Sequence, residues 1–235
     1  MSEEDEKSIG KREHPKIVKQ FGGVYQNEIL QNYIESLGKF LVTTSESPNL
    51  EFTFTILNSP IVNAFALPGG YIYLTRGLIY LCQNEAQLAG VLAHEIGHFK
   101  LKHVPKMIGW SFAMTLIGLY LLNLLAQQPL FVEAFGFTAD DYAPAFLVFS
   151  LLAGSVTFWL TPLSSFWSRQ FEYQADAYAT NAIKANQPMI SALRKLNREN
   201  LSNLTPHPLY SGFHYDHPTL LERETELKKA YVADA

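Results

Sequence analysis

Apolar and polar residues change their period several times along this chain, and each change predicts an element. Ile29, Leu30, Tyr33, Ile34, Leu37, Phe40 and Leu41 recur at helical spacing, as an amphipathic helix covering a core would require. From Glu51 to Leu57 the pattern alternates and is rich in Phe and Thr, and Tyr71 to Thr75 is similar. Two short strands are expected there, with Pro68-Gly69-Gly70 as the turn before the second. Helical spacing returns after Asn84, a good N-cap followed by a first-turn acid, Glu85, and runs on through His98. Further helices are predicted around Ser168 to Ala177 and after Gln187-Pro188, where Met189, Leu193 and Leu196 form an apolar stripe. Pro206 to Tyr215 reads as a loop, and a helix is expected to continue through Pro218.

Two stretches have no polar period. Met107 to Ala126 contains no Asp, Glu, Lys, Arg or His, nor does Tyr142 to Trp167, and each is long enough to cross a bilayer as a helix. They predict an apolar hairpin at 107–167, with small residues such as Gly109, Gly118, Gly154 and Ser155 permitting close helix contact. The alternative is a pair of buried helices that cap a cleft in a soluble protein. Asn123, Pro144 and Pro162, which interrupt the runs, favour it.

Charge orients the hairpin. Lys100, Lys102 and Lys106 precede it and Arg169 follows it, whereas Gln127 to Asp141 carries only acids, so both ends are expected on the cytoplasmic side. Met1 to Lys11 is charged and has no export-signal character; a periplasmic location remains the alternative if a signal was removed. The net charge of -4 gives no footprint for nucleic acid, and 235 residues suffice for one sizeable core. Cys82, the single cysteine, has no internal disulfide partner and reads as a buried apolar residue. Asn200 and Asn203 match glycosylation acceptors, a pattern too short to outweigh the cytoplasmic reading.

The chemistry concentrates in His94-Glu95-Ile96-Gly97-His98. Imidazoles four residues apart project from one helix face and can hold one Zn2+ ion together, with the glutamate between them placed to take a proton from the water the ion activates. That pattern implies peptide-bond hydrolysis. Gly90 and Gly97 each cost a helix about 1 kcal/mol relative to Ala, so a close neighbour is expected against them.

A third ligand is required. His103 comes too soon to complete a longer three-histidine pattern, and Glu133, Asp140 and Asp141 lie between the apolar runs. Glu172 and Asp176 share a helix face; Glu172 is assigned to the metal, and Asp176 to a hydrogen bond from the far nitrogen of a ligating histidine. The alternative for both is a solvated face paired with Arg169.

These residues resemble the gluzincin metalloproteases, the family of the type-1 CAAX prenyl protease, HtpX and the Oma-type proteases. Phe21-Gly22-Gly23-Val24-Tyr25, Asn58-Ser59-Pro60 and Asn63 to Gly70 look like the periplasmic and Oma-type branch. Ser168-Arg169-Gln170-Phe171-Glu172 and His214 to Arg223 look like the prenyl-protease branch. The resemblance implies that Asn63 and His217 lie near bound peptide, where either side chain can donate to a developing oxyanion. Their structural alternatives are a turn at Asn63 and a helix start at His217. Arg223 is a candidate substrate contact, with a structural pair to Glu226 as its alternative. No catalytic role falls to His14, His103, His207 or His214.

The expected fold is therefore mainly α with a small antiparallel β-sheet, α+β: one zincin-like catalytic domain over 1–235, interrupted by a membrane-spanning hairpin. The expected function is zinc-dependent endopeptidase action on peptide or protein substrates, membrane-inserted or lipidated, in quality control or processing. A soluble protease whose apolar helices plug the cleft, and a metal-retaining binding or chaperone-like module, are the alternatives.

Overall fold

The computed structural model describes residues 2–43, 51–134, 136 and 142–233. Helices α1 (Glu3–Gln20) and α2 (Glu28–Thr43) precede three strands, β1 (Thr53–Leu57), β2 (Ala64–Leu67) and β3 (Tyr71–Thr75). Then come α3 (Arg76–Leu81), α4 (Glu85–Lys100), α5 (His103–Ala126), α6 (Pro129–Ala134), α7 (Tyr142–Ile183), α8 (Gln187–Glu199), α9 (Pro208–His214) and α10 (Leu220–Ala233).

The sheet differs from expectation. Its order is β1-β3-β2, with β1 parallel to β3 and only β2 antiparallel to it, so the sheet is mixed rather than antiparallel. Four consecutive residues are buried in each of β1 and β3, so the alternation marked the strands but neither a single core-facing side nor the strand order. The short β2 intervenes in sequence, and Gly69 and Gly70, at φ 82° and 83°, reverse the chain so that β3 returns between the other two. Consequently β3 is central and almost wholly buried, and β2 is an edge.

Helix α4 runs through the middle of the core, in contact with α2, β2, α7 and α8. Leu92, Ala93 and Ile96 are fully buried in one cluster with Ile34, Ile56, Ile72 and Leu74. Asn84 caps α4 by accepting from the Gln87 N–H at 3.0 Å. The buried Gln87 side chain donates to Ser191 and accepts from Lys195, tying α4 to α8. Gly97 allows α4 to approach α7 closely, since a Cβ there would meet the Tyr178 ring at 3.0 Å.

Helix α5 has the opposite character. It is long and apolar enough to cross a membrane, yet His103 is its one buried residue among those described, and Phe112, Leu116 and Tyr120 stand half or more exposed. It packs on α7, where Trp110 lies 4.7 Å from Trp167. Glycines contribute less to this packing than expected: a Cβ on Gly109 or Gly154 would meet nothing, and one on Gly118 only Phe149 at 3.6 Å. The second apolar run and the predicted Glu172 helix fall in one 42-residue helix, α7, which bends by 48° between Phe149–Ser155 and Thr157–Ile183. Asp140 and Asp141 lie outside the described residues.

Two boundaries also shift. Pro208 starts α9 inside the segment expected to be a loop, with the His207 ring accepting from the Leu209 N–H at 3.3 Å. Helix α10 begins at Leu220, not at His217, because Thr219 and Glu222 form a reciprocal cap: the Thr219 N–H donates to the Glu222 carboxylate at 2.7 Å, and the Glu222 N–H to Thr219 Oγ1 at 3.4 Å.

Candidate metal centre and its cleft

The four-residue spacing on α4 brings His94 Nε2 and His98 Nε2 to 3.1 Å from each other. From α7, Glu172 reaches the same point, with carboxylate oxygens 3.6 Å from His94 Nε2 and 3.4 Å from His98 Nε2. One donor atom from each of the three lies within 4.8 Å of the others. Two imidazole nitrogens and a carboxylate form a donor set that suits zinc.

Asp176 lies one turn along α7, and its Oδ1 is 3.0 Å from His94 Nδ1. Neither acid is a solvated face: Glu172 is 5% and Asp176 2% exposed. Arg169 does not pair with them; its Nη1 donates to the carbonyls of Ser211, Gly212 and Tyr215 at 3.3, 3.1 and 2.7 Å, anchoring α9 to α7.

The cation that serves both acids is Arg223. Its Nε donates to Asp176 Oδ2 at 2.8 Å and its Nη2 to Oδ1 at 2.5 Å, while Nη1 lies 3.2 Å from Glu172 Oε2. The structural alternative named Glu226, but that acid pairs with Lys229 on the outer face of α10. The Thr219 cap explains the difference, since it fixes the first turn of α10 with Arg223 inward and Glu226 one turn further out.

Electrostatics follow from these contacts. Burial by itself would raise the Glu172 carboxyl, but hydrogen bonds from His217 and His98, together with the nearby His94 and Arg223, hold it well below the usual carboxylate range. Asp176 is likewise lowered, burial being outweighed by Arg223 and His94. Burial opposes a charge on His94, yet Asp176 and Glu172 together raise it. Glu95 goes the other way: burial pushes its carboxyl up, only partly offset by the two histidines. The environments of the two glutamates thus shift their carboxyls in opposite directions, Glu172 down and Glu95 up.

A cleft of about 560 Å³ opens over this cluster. Glu95, Asn63 and His217 line it together with His94, His98 and Glu172. Edge strand β2 forms one wall through Ala64, Phe65 and Ala66. Asn63 is exposed at the head of β2; its carbonyl accepts from the Thr75 N–H at 3.0 Å, so a turn contact and a cleft position coexist. His217 stands at the mouth with its side chain 64% exposed and Nδ1 3.2 Å from Glu172 Oε1. No residue between 107 and 167 lines the cleft among those described, so the apolar helices do not plug it.

Sequence reasoning passed over one residue. His103 Nδ1 lies 3.1 Å from His98 Nδ1, and its Nε2 is 3.1 Å from Gln174 Oε1. A five-residue interval is not one helix face, and the contact arises only because Lys102 adopts a left-handed conformation, φ 55°, between α4 and α5. The signal available was Gln174, two residues from both Glu172 and Asp176.

The chain is 36% identical over 163 residues to the "CAAX prenyl protease 1 homolog" of Oryza sativa subsp. japonica, covering 68% of this chain and 37% of that protein. The mouse homolog of the same name is 40% identical over 157 residues, 63% of this chain and 31% of the relative. A "Putative beta-barrel assembly-enhancing protease" of Vibrio cholerae is 39% identical over 83 residues, 35% of this chain and 17% of its own length. Both branches suggested by the motifs are thus represented. The crystal structure of S. mikatae Ste24p superimposes with a TM-score of 0.70 at 29% identity, covering 86% of this chain and 50% of that one. This chain spans only a third to a half of these prenyl-protease and Ste24p relatives. Residues 28–231 match the model of peptidase family M48, and the chain belongs to that family.

Proposed function

We propose that this chain is a zinc endopeptidase working at a membrane surface, with His94, His98 and Glu172 holding one zinc ion and Glu95 moving the proton. The observation that carries this reading is the convergence of the three donors within 4.8 Å at the floor of a cleft that Glu95 also lines. When bound, zinc supplies Lewis acidity, which polarises a scissile carbonyl and acidifies water.

The protein's own groups do the rest. Edge strand β2 offers unpaired main-chain groups to an extended peptide, which adds to the sheet and lies along the cleft. Glu95 accepts the proton of the attacking water and returns it to the leaving amine; its raised carboxyl makes it a stronger base for the first step. Asn63 and His217, both at the cleft, donate to the oxyanion as the carbonyl becomes tetrahedral. Asp176 fixes the Nδ1 proton of His94, so that Nε2 keeps its lone pair for the ion. Arg223 acts as a positioning residue for Asp176 and Glu172 rather than as a substrate contact, since its guanidinium is already engaged by both.

The membrane part of the proposal rests on α5, apolar and exposed over its length, and on the apolar arm of α7 against it. Read as a hairpin spanning at 107–126 and 142–167, they place the zinc cleft beside the bilayer, on the side of Lys100, Lys102, Lys106 and Arg169, the cytoplasmic side. Substrates are then membrane-inserted or lipidated proteins, and relatives named for CAAX prenyl processing favour prenylated C-terminal peptides.

Glu95→Gln separates binding from chemistry. The expected variant retains one zinc per chain and loses cleavage of a farnesylated peptide and of an unfolded protein by at least 100-fold. Substantial residual cleavage overturns the role of Glu95. Retention of the chain in membranes after alkaline carbonate extraction supports the spanning hairpin, and release overturns it.

A further inference from the structure

His94 and His98 turn the same atom, Nε2, toward Glu172. A neutral imidazole that ligates through Nε2 carries its proton on Nδ1, and that proton wants an acceptor. For His94 the acceptor is the Asp176 carboxylate. For His98 the facing atom is Nδ1 of His103, which is 1% exposed and stacked on Phe171 at 4.4 Å between ring centres.

Only one proton order satisfies every atom in this row. Gln174 Oε1 accepts, so His103 carries its proton on Nε2 and its Nδ1 is left as a lone pair aimed at His98. The reverse order would protonate His98 on Nε2 and remove it from the metal.

Resting on the zinc reading above, we infer that His103 is a positioning residue of the metal centre: its Nδ1 accepts the Nδ1–H of His98 and holds the ligand's Nε2 toward the ion. The two ligating histidines are supported by unlike partners, an anion for one and a neutral ring for the other. Lys102, left-handed between α4 and α5, lies where the chain turns His103 back onto α4.

Two substitutions in the full chain separate orientation from packing. His103→Phe keeps a ring against Phe171 but has no acceptor; His103→Asn lacks the ring but places Oδ1 where Nδ1 stood. Zinc affinity is measured by competition with a chromophoric chelator, and thermal melting of the metal-free proteins reports folding. The expected result is that His103→Phe weakens zinc binding about 10–100-fold with metal-free melting near that of the parent, whereas His103→Asn keeps most of the affinity despite a lower melting temperature. Unchanged zinc binding in His103→Phe, or equal weakening in both variants, overturns the inference and leaves the zinc reading standing. A parent chain that binds no zinc overturns both.

Discussion

Helices α4 and α5 follow one another with two residues between them, and both are predominantly apolar, yet they have opposite fates. Ten of the 16 residues of α4 are buried, among them His94, whereas in the 24 residues of α5 only His103 is. Apolar content therefore does not predict where a helix sits. What distinguishes them is the distribution of polar atoms. Helix α4 carries His94 and His98 inward and satisfies them against acids of α7, so its apolar surface is a socket for a polar centre. Helix α5 has no charged side chain beyond Lys106 and offers uniform apolar surface outward, as a hydrocarbon solvent would favour.

The strongest blow to this contrast falls on the polar socket. Arg223→Gln leaves two buried carboxylates sharing no cation, and about 3–5 kcal/mol of stability is expected to go, read from unfolding in denaturant without metal. Next comes packing: Leu92→Ala, in the core of α4, is expected to cost about 2–5 kcal/mol, while Leu116→Ala, half-exposed on α5, stays within about 0.5 kcal/mol. Equal losses would mean that α5 is buried after all. Smaller is the glycine comparison. Gly97→Ala presses a methyl on the Tyr178 ring and destabilises by about 1–3 kcal/mol, whereas Gly109→Ala meets open space and gains up to about 1 kcal/mol of helix propensity.

The weakest effect concerns pH. Glu224 on α10 is held below its ordinary value of 4.5 chiefly by a hydrogen bond from Arg194 on α8. Its folded pKa is lowered, so the stabilisation is complete above the unfolded value and disappears as pH falls through the folded one. The unfolding midpoint of Glu224→Gln is expected to vary less than the parent's below pH 4.5, the two curves converging in acid. Parallel curves would show the pair to be inert.

Much of this molecule was legible in the chain because it depends on local spacing. His94 and His98 share a helix face by arithmetic, and so do Glu172 and Asp176; Asn84 announces the start of α4. Distance relations were less legible. The alternation of β1 and β3 said nothing about β2 lying at the edge, and no pattern linked Arg223 to Asp176, 47 residues away. Arg169 entered only the alternative reading, as a partner for the two acids; its actual acceptors, the carbonyls of Ser211, Gly212 and Tyr215, leave no trace in sequence. His103 was passed over since its approach to His98 depends on one backbone angle at Lys102. The two charge-free runs were visible, but that the second is continuous with the Glu172 helix was not.

The most direct test of the central claim is anomalous scattering at the zinc edge from crystals of the full chain grown with the metal. The account predicts one peak per chain, between His94 Nε2, His98 Nε2 and the Glu172 carboxylate, retained in Glu95→Gln. A peak elsewhere, or none at this position in zinc-loaded and fully occupied crystals, would contradict it.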